Sequence, residues 1–158
     1  MDSSDNIYSA GNTHGGLDGN TNFGGNDFFI VKYNSSGTKQ WTKQFGTSSD
    51  DYGKSITVDS SDNIFVTGYT KGGLDGNTNF GDWDSFVMKL NSSGTKQWTK
   101  QFGTSSADIG EGITVDSSDN IYLTGNTTGG LDENTNFGGR DFFIMKLNSS
   151  GTKQWTKQ

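Results

Sequence analysis

The chain has 158 residues with no cysteine and no proline, and its 12 basic against 18 acidic side chains leave a net charge of −6. That balance argues against a nucleic-acid backbone or an anionic membrane as partner, since both need a positive footprint, and the lack of cysteine rules out disulfides and thiolate metal sites. Only 28% of the residues are apolar and 24 are glycine, so a core has to be built from the 11 Phe, 5 Tyr and 4 Trp, which recur at matching positions.

The recurrence is regular. Trp41, Trp98 and Trp155 stand 57 residues apart, as do Asp2, Asp59 and Asp116. Such spacing marks an array whose units cannot bury their apolar faces alone and rely on neighbours. Residues 1–45 form a partial first copy, 46–102 a second and 103–158 a third. Met1 is followed at once by Asp2, Ser3, Ser4 and Asp5, so no secretory leader is expected there, and no apolar run is long enough to span a bilayer.

The first copy predicts three strands, b, c and d; its strand b carries Ser9 where Val66 and Leu123 stand in the others. In the middle copy the β-branched run Ile56 to Val58 predicts strand a, and Asp59 to Asn63 a turn. Ile64 to Thr67 predicts strand b, and a long Gly/Asn-rich connection, Tyr69 to Trp83, leads to strand c at Phe86 to Leu90, apolar on both faces apart from Lys89. Asn91 to Gly94 has the form of a hairpin loop, and Lys96 to Phe102 alternates as an outer strand d whose Lys and Gln keep it soluble. The third copy repeats the pattern. Phe86, Met88 and Leu90, with counterparts Phe29, Val31, Tyr33 and Phe143, Met145, Leu147, are expected in cores between units.

No window has helical apolar spacing. The unit is therefore an all-β, four-stranded antiparallel sheet of the kind that forms β-propeller blades. A β-trefoil is the alternative, but it needs twelve strands and the chain offers one fewer. Three segments carry a family resemblance: Gly112 to Gly125, Asp141 to Gly151, and Gln97 to Gly103. In order and spacing they resemble the bacterial seven-bladed β-propeller repeat, abbreviated SBBP. The resemblance implies blades with strand a innermost and strand d outermost, and an extracellular or cell-surface setting in a bacterium. Three blades are too few to close such a ring, so an open arc completed by oligomerisation is expected, two chains giving six blades or three giving nine.

The short turns are identical in all copies, whereas the long connections on the opposite face vary: His14, Lys71, Thr128; Asn26, Trp83, Arg140; Tyr52 against Ile109; Lys54 against Glu111. Loops on a rigid scaffold are where binding sites are built, and loops also drift where solvent tolerates change. Tyr52, Trp83, Ile109 and Arg140 are the ligand-binding candidates. Acids on the same connections, among them Asp50, Asp51, Asp82, Asp108 and Glu133, suggest a negative field there.

A second candidate set has calcium-like spacing. Asp18, Asn20 and Asn22, then Asp75, Asn77 and Asn79, then Asp132, Asn134 and Asn136 place oxygen side chains at alternate positions, with Asp27, Asp84 or Asp141 available to complete each set. Phe23, Phe80 or Phe137 replaces the expected glycine, and a tight Asx-stabilised turn with that Phe plugged into the blade accounts for the same residues. No cofactor is otherwise expected. The three equivalent tryptophans could stack on sugars or pack between blades. His14, the one histidine, has no evident catalytic partner. The leading reading is a non-enzymatic, self-assembling propeller module, with a lectin-like carbohydrate- or cation-binding propeller as the alternative. Near-identity of Asn34 to Ser49 with Asn91 to Ser106 points to recent amplification or design.

Overall fold

The computed structural model describes residues 1–158 and consists of three separate antiparallel sheets. Blade 1 holds β1 (Ile7–Thr13), β2 (Asp27–Tyr33) and β3 (Lys39–Phe45). Blade 2 holds β4 (Asp51–Val58), β5 (Ile64–Thr70), β6 (Asp84–Leu90) and β7 (Lys96–Phe102); blade 3 repeats it with β8 (Asp108–Val115), β9 (Ile121–Thr127), β10 (Asp141–Leu147) and β11 (Lys153–Lys157). Every sheet is a simple meander, and the innermost strands β4 and β8 pack against each other while β1 packs on β4. This is an open propeller arc; the sheets do not share strands as a trefoil would.

The inner strands are longer than their β-branched runs, because β4 and β8 begin at Asp51 and Asp108 and extend through a bulge at Lys54 and Glu111. The bulge explains a glycine. A Cβ added to Gly68 would lie 1.7 Å from the Tyr52 carbonyl oxygen, and one on Gly125 would lie 1.9 Å from that of Ile109, so only glycine lets strand b approach the bulged strand. The c–d turns close as expected: Asn91 Oδ1 accepts the N–H groups of Ser93 (3.1 Å) and Thr95 (2.9 Å), and Gly94 takes φ +80°.

Each blade presents one alternation face to the blade before it and the other to the blade after. Ile64, Val66, Phe86, Met88 and Leu90 of blade 2 bury against Phe28 and Ile30 of blade 1. Blade 3 repeats the contact, Ile121, Leu123, Phe143, Met145 and Leu147 burying against Phe65 and Val87. In blade 1 only part of the expected core set is buried: Val31 is, but Phe29 and Tyr33 are half-buried because their face looks toward a position no blade occupies, while Phe28 and Ile30 on the opposite face are fully buried.

Two further expectations change. Phe23, Phe80 and Phe137 are not plugged into the blades but are 52%, 50% and 81% exposed; Leu74 and Leu131 fill that space from the short 3-10 turns Leu74–Gly76 and Leu131–Glu133. Strand d also buries one glutamine in each of blades 1 and 2, Gln44 and Gln101. Gln101 donates to Asp84 Oδ2 (2.8 Å) and to the Gly72 carbonyl (3.0 Å) while accepting the Leu74 N–H (3.0 Å), which ties the long loop to strands c and d. Gln44 makes the matching bonds to Asp27 and Leu17 in blade 1.

Candidate functional site

On the long-loop face a pocket of about 270 Å³ opens between blades 2 and 3. The four ligand-binding candidates, Tyr52, Trp83, Ile109 and Arg140, all line it, joined by Tyr69, Ala107 and Glu111. Strand a of blade 2 supplies Tyr52, strand b supplies Tyr69, and the b–c loop supplies Trp83. The Tyr52 and Tyr69 rings stack with centroids 5.1 Å apart, and Trp83 meets both edge-on at 5.7 and 5.0 Å. Lys71 Nζ lies 4.6 Å from the Trp83 ring and Lys54 Nζ 5.4 Å from the Tyr69 ring. Glu111 already stood among the varied positions through its contrast with Lys54, whereas Tyr69 and Ala107 escape that reading although they too differ from their counterparts one repeat earlier, Asn12 and Asp50.

The neighbouring junction shows what makes the pocket. Between blades 1 and 2 the same frame carries Asn26, Asp50 and Tyr52, and these close on one another: Asn26 donates from its backbone N–H (2.8 Å) and Nδ2 (3.0 Å) to Asp50 Oδ1, and from Nδ2 to the Tyr52 hydroxyl (2.7 Å). The backbone is the same at both junctions, with the Asp51 N–H on the Asn26 carbonyl and the Asp108 N–H on the Trp83 carbonyl, each at 2.7 Å. Only the side chains differ. Replacing Asn, Asp and Tyr by Trp83, Ala107 and Ile109 removes the polar latch and leaves an aromatic-walled opening. The Asn26 bonds hold the Asp50 carboxyl below its ordinary range, whereas burial, with the Asp50 charge second, pushes the Tyr52 hydroxyl upward.

Asp51 and Asp108, expected in a solvent-facing negative field, are fully buried at the start of the inner strands. Thr47 donates from its N–H (2.6 Å) and hydroxyl (2.9 Å) to Asp51 Oδ2, and Thr104 does the same for Asp108. Asp27 and Asp84 are buried beside them at the start of strand c, and the Oδ1 atoms of all four carboxylates have no hydrogen-bond donor. Burial pushes the Asp51 and Asp84 carboxyls up, helped by the charges of Asp27 and Asp108 respectively.

The calcium-spaced residues are committed to separate partners. Asp18 pairs with Lys39 (2.6 Å) and Thr42 (2.5 Å), and Asp75 and Asp132 pair likewise with Lys96 and Thr99 and with Lys153 and Thr156. Asn20, Asn77 and Asn134 each donate Nδ2 to the carbonyl of the preceding leucine (2.8, 2.7 and 2.7 Å). Asn22, Asn79 and Asn136 donate to the carbonyls of His14, Lys71 and Gly129. Asp27, Asp84 and Asp141 accept the N–H groups of Phe23, Phe80 and Phe137 and the amides of Gln44, Gln101 and Gln158. No three carboxylates or histidines converge.

Trp41 and Trp98 are packing residues: they lie against the c–d turns of the next blade, where a Cβ on Gly94 would come within 3.2 Å of Trp41 and one on Gly151 within 3.0 Å of Trp98. Trp155 has no such neighbour and is 39% exposed.

Meandering sheets stacked face to face about a line of inner strands define the β-propeller class. The SBBP β-propeller repeat matches residues 40–75 and 97–132, so these two stretches of the chain are similar to that repeat. It is also similar to an uncharacterized WD repeat-containing protein, L264, of Acanthamoeba polyphaga mimivirus, at 29% identity over 143 residues; the alignment covers 78% of this chain and 10% of that relative's length.

Proposed function

We propose that the chain is a non-enzymatic propeller interaction module that completes its disc with copies of itself, two chains making six blades in preference to three making nine. The propeller repeats and the WD-repeat relative support an interaction module. The observation that carries self-assembly is the chemistry of the two free faces. Blade 3 offers outward the residues that blades 1 and 2 bury: Phe142 is 64% exposed where Phe28 is fully buried, and Trp155 is uncovered where Trp41 and Trp98 rest on a turn. Blade 1 offers the complementary face, with Ile7 44% exposed where Ile64 and Ile121 are fully buried. Apolar faces of this kind on a soluble chain mark an interface. Contact between blade 3 of one chain and blade 1 of the next is head-to-tail and ends in a closed ring only when its rotation divides the circle. Rings of about four to eight blades are the usual sizes, which favours six.

Light scattering over a dilution series tests this. A dimer that dissociates on dilution, and that Phe142→Lys converts to monomer, is the expected result; a monomer at every concentration would refute it. A second reading, a ligand-binding propeller using the long-loop face, is favoured by the pocket between blades 2 and 3.

A further inference from the structure

Resting on that second reading, we infer that the pocket between blades 2 and 3 takes a neutral, polyhydroxylated ring of monosaccharide size. Three features of the wall select this class. The first is shape: about 270 Å³ lies near the small end of ligand clefts, which start at about 300 Å³, and leaves room for a single ring.

The second is the aromatic wall. Tyr52, Tyr69 and Trp83 brace one another at 5.0 to 5.7 Å and form a rigid apolar surface suited to the C–H face of a sugar. A cationic ligand would also seek such rings, but Lys54 and Lys71 already lie over Tyr69 and Trp83. A second cation there would meet like charge.

The third is the polar rim. Glu111 and Arg140 are exposed, stand in no ion pair, and face the pocket from blade 3. A carboxylate accepts from, and a guanidinium donates to, vicinal hydroxyls in pairs, and the charge of Glu111 offsets that of Arg140. Lys71 is balanced in turn by Asp82 at 3.6 Å. The first junction supplies an internal control, since its frame is the same and its Asn26, Asp50 and Tyr52 close the space with their own hydrogen bonds.

Calorimetric titration of the full chain with glucose, galactose, mannose and N-acetylglucosamine at millimolar concentration, with tetramethylammonium and acetate in parallel, decides the matter. We expect heat from at least one sugar and none from the two ions. Glu111→Gln and Arg140→Ala should each weaken sugar binding at least about tenfold. Trp83→Asn, Ala107→Asp and Ile109→Tyr combined, which rebuilds the closed junction already folded elsewhere in this chain, should abolish binding without loss of the cooperative melt. Binding of tetramethylammonium or acetate in place of sugars would overturn the ligand class and leave the pocket reading standing. Absence of heat from every probe, or sugar binding undiminished in the triple variant, would overturn both.

Discussion

Phe86 shows how a chain poor in aliphatic residues holds together. Its ring is fully buried 4.8 Å from that of Phe28 in the preceding blade, so it joins two blades and also fills the face of its own sheet. Phe86→Ala should cost about 3–5 kcal/mol, read as a drop in the urea midpoint; an unchanged midpoint would contradict its place in the core. The buried carboxylates give a prediction of a different kind. The Asp51 and Asp84 carboxyls titrate above their unfolded values, so the stability linked to them is fully present below the ordinary carboxylate range and is lost as pH rises through their raised folded values. Asp116 runs the other way: hydrogen bonds from Asn120 hold it down to about 2, and its contribution disappears only as pH falls toward that value. The two effects occupy different windows. Melting temperature should therefore decline as pH rises above the ordinary carboxylate range, and Asp51→Asn with Asp84→Asn should flatten that decline. A decline of equal slope in the double variant would place its origin elsewhere.

At the scale of elements, the long loops are held by strand d. Gln101 joins Asp84, Gly72 and Leu74, and Gln101→Ala leaves a buried carboxylate oxygen and an N–H short of partners, which should cost about 1–3 kcal/mol in chemical denaturation. Asp18, Asp75 and Asp132 are held by lysines, so adding calcium or a chelator should leave the melting temperature unmoved; a marked rise with calcium would show a site that these ion pairs conceal. These elements also show what was legible in the sequence. Strand c was readable because Phe86 to Leu90 is apolar on both faces, and the c–d turn because Asn91 and Gly94 have local reasons to be there. The Phe80 and Gln101 expectations failed together. Hydrophobicity assigned the ring to the core and the amide to solvent, whereas the loop places Leu74 inside and needs Gln101 to satisfy its backbone. Tyr52, Trp83, Ile109 and Arg140 could be picked out because they broke an otherwise faithful repeat; that they share one pocket depends on blade stacking, which no single repeat encodes.

For the molecule as a whole, the three blades differ in stability even though they are near-copies. Blade 2 is covered on both faces, blade 3 lacks a neighbour on one, and blade 1 lacks both a neighbour and an inner strand. β1 pairs only with β2, its Ser9 stands where Val66 and Leu123 are fully buried, and its Ile7 is largely uncovered. Each aliphatic side chain missing from a core gives up about 1.5–3 kcal/mol of burial, so β1 should open at the lowest free energy. Amide exchange in dilute solution should accordingly run fastest in β1, next in β11, and slowest in β5 and β6. Assembly adds a signature that a merely frayed edge cannot mimic. If blade 3 of one chain covers blade 1 of the next, raising the protein concentration should slow exchange in β1, β2 and β10 together while leaving β5 and β6 unchanged, because only the first group gains cover. Slowing confined to β1, or none at all, would mean that the free faces do not meet.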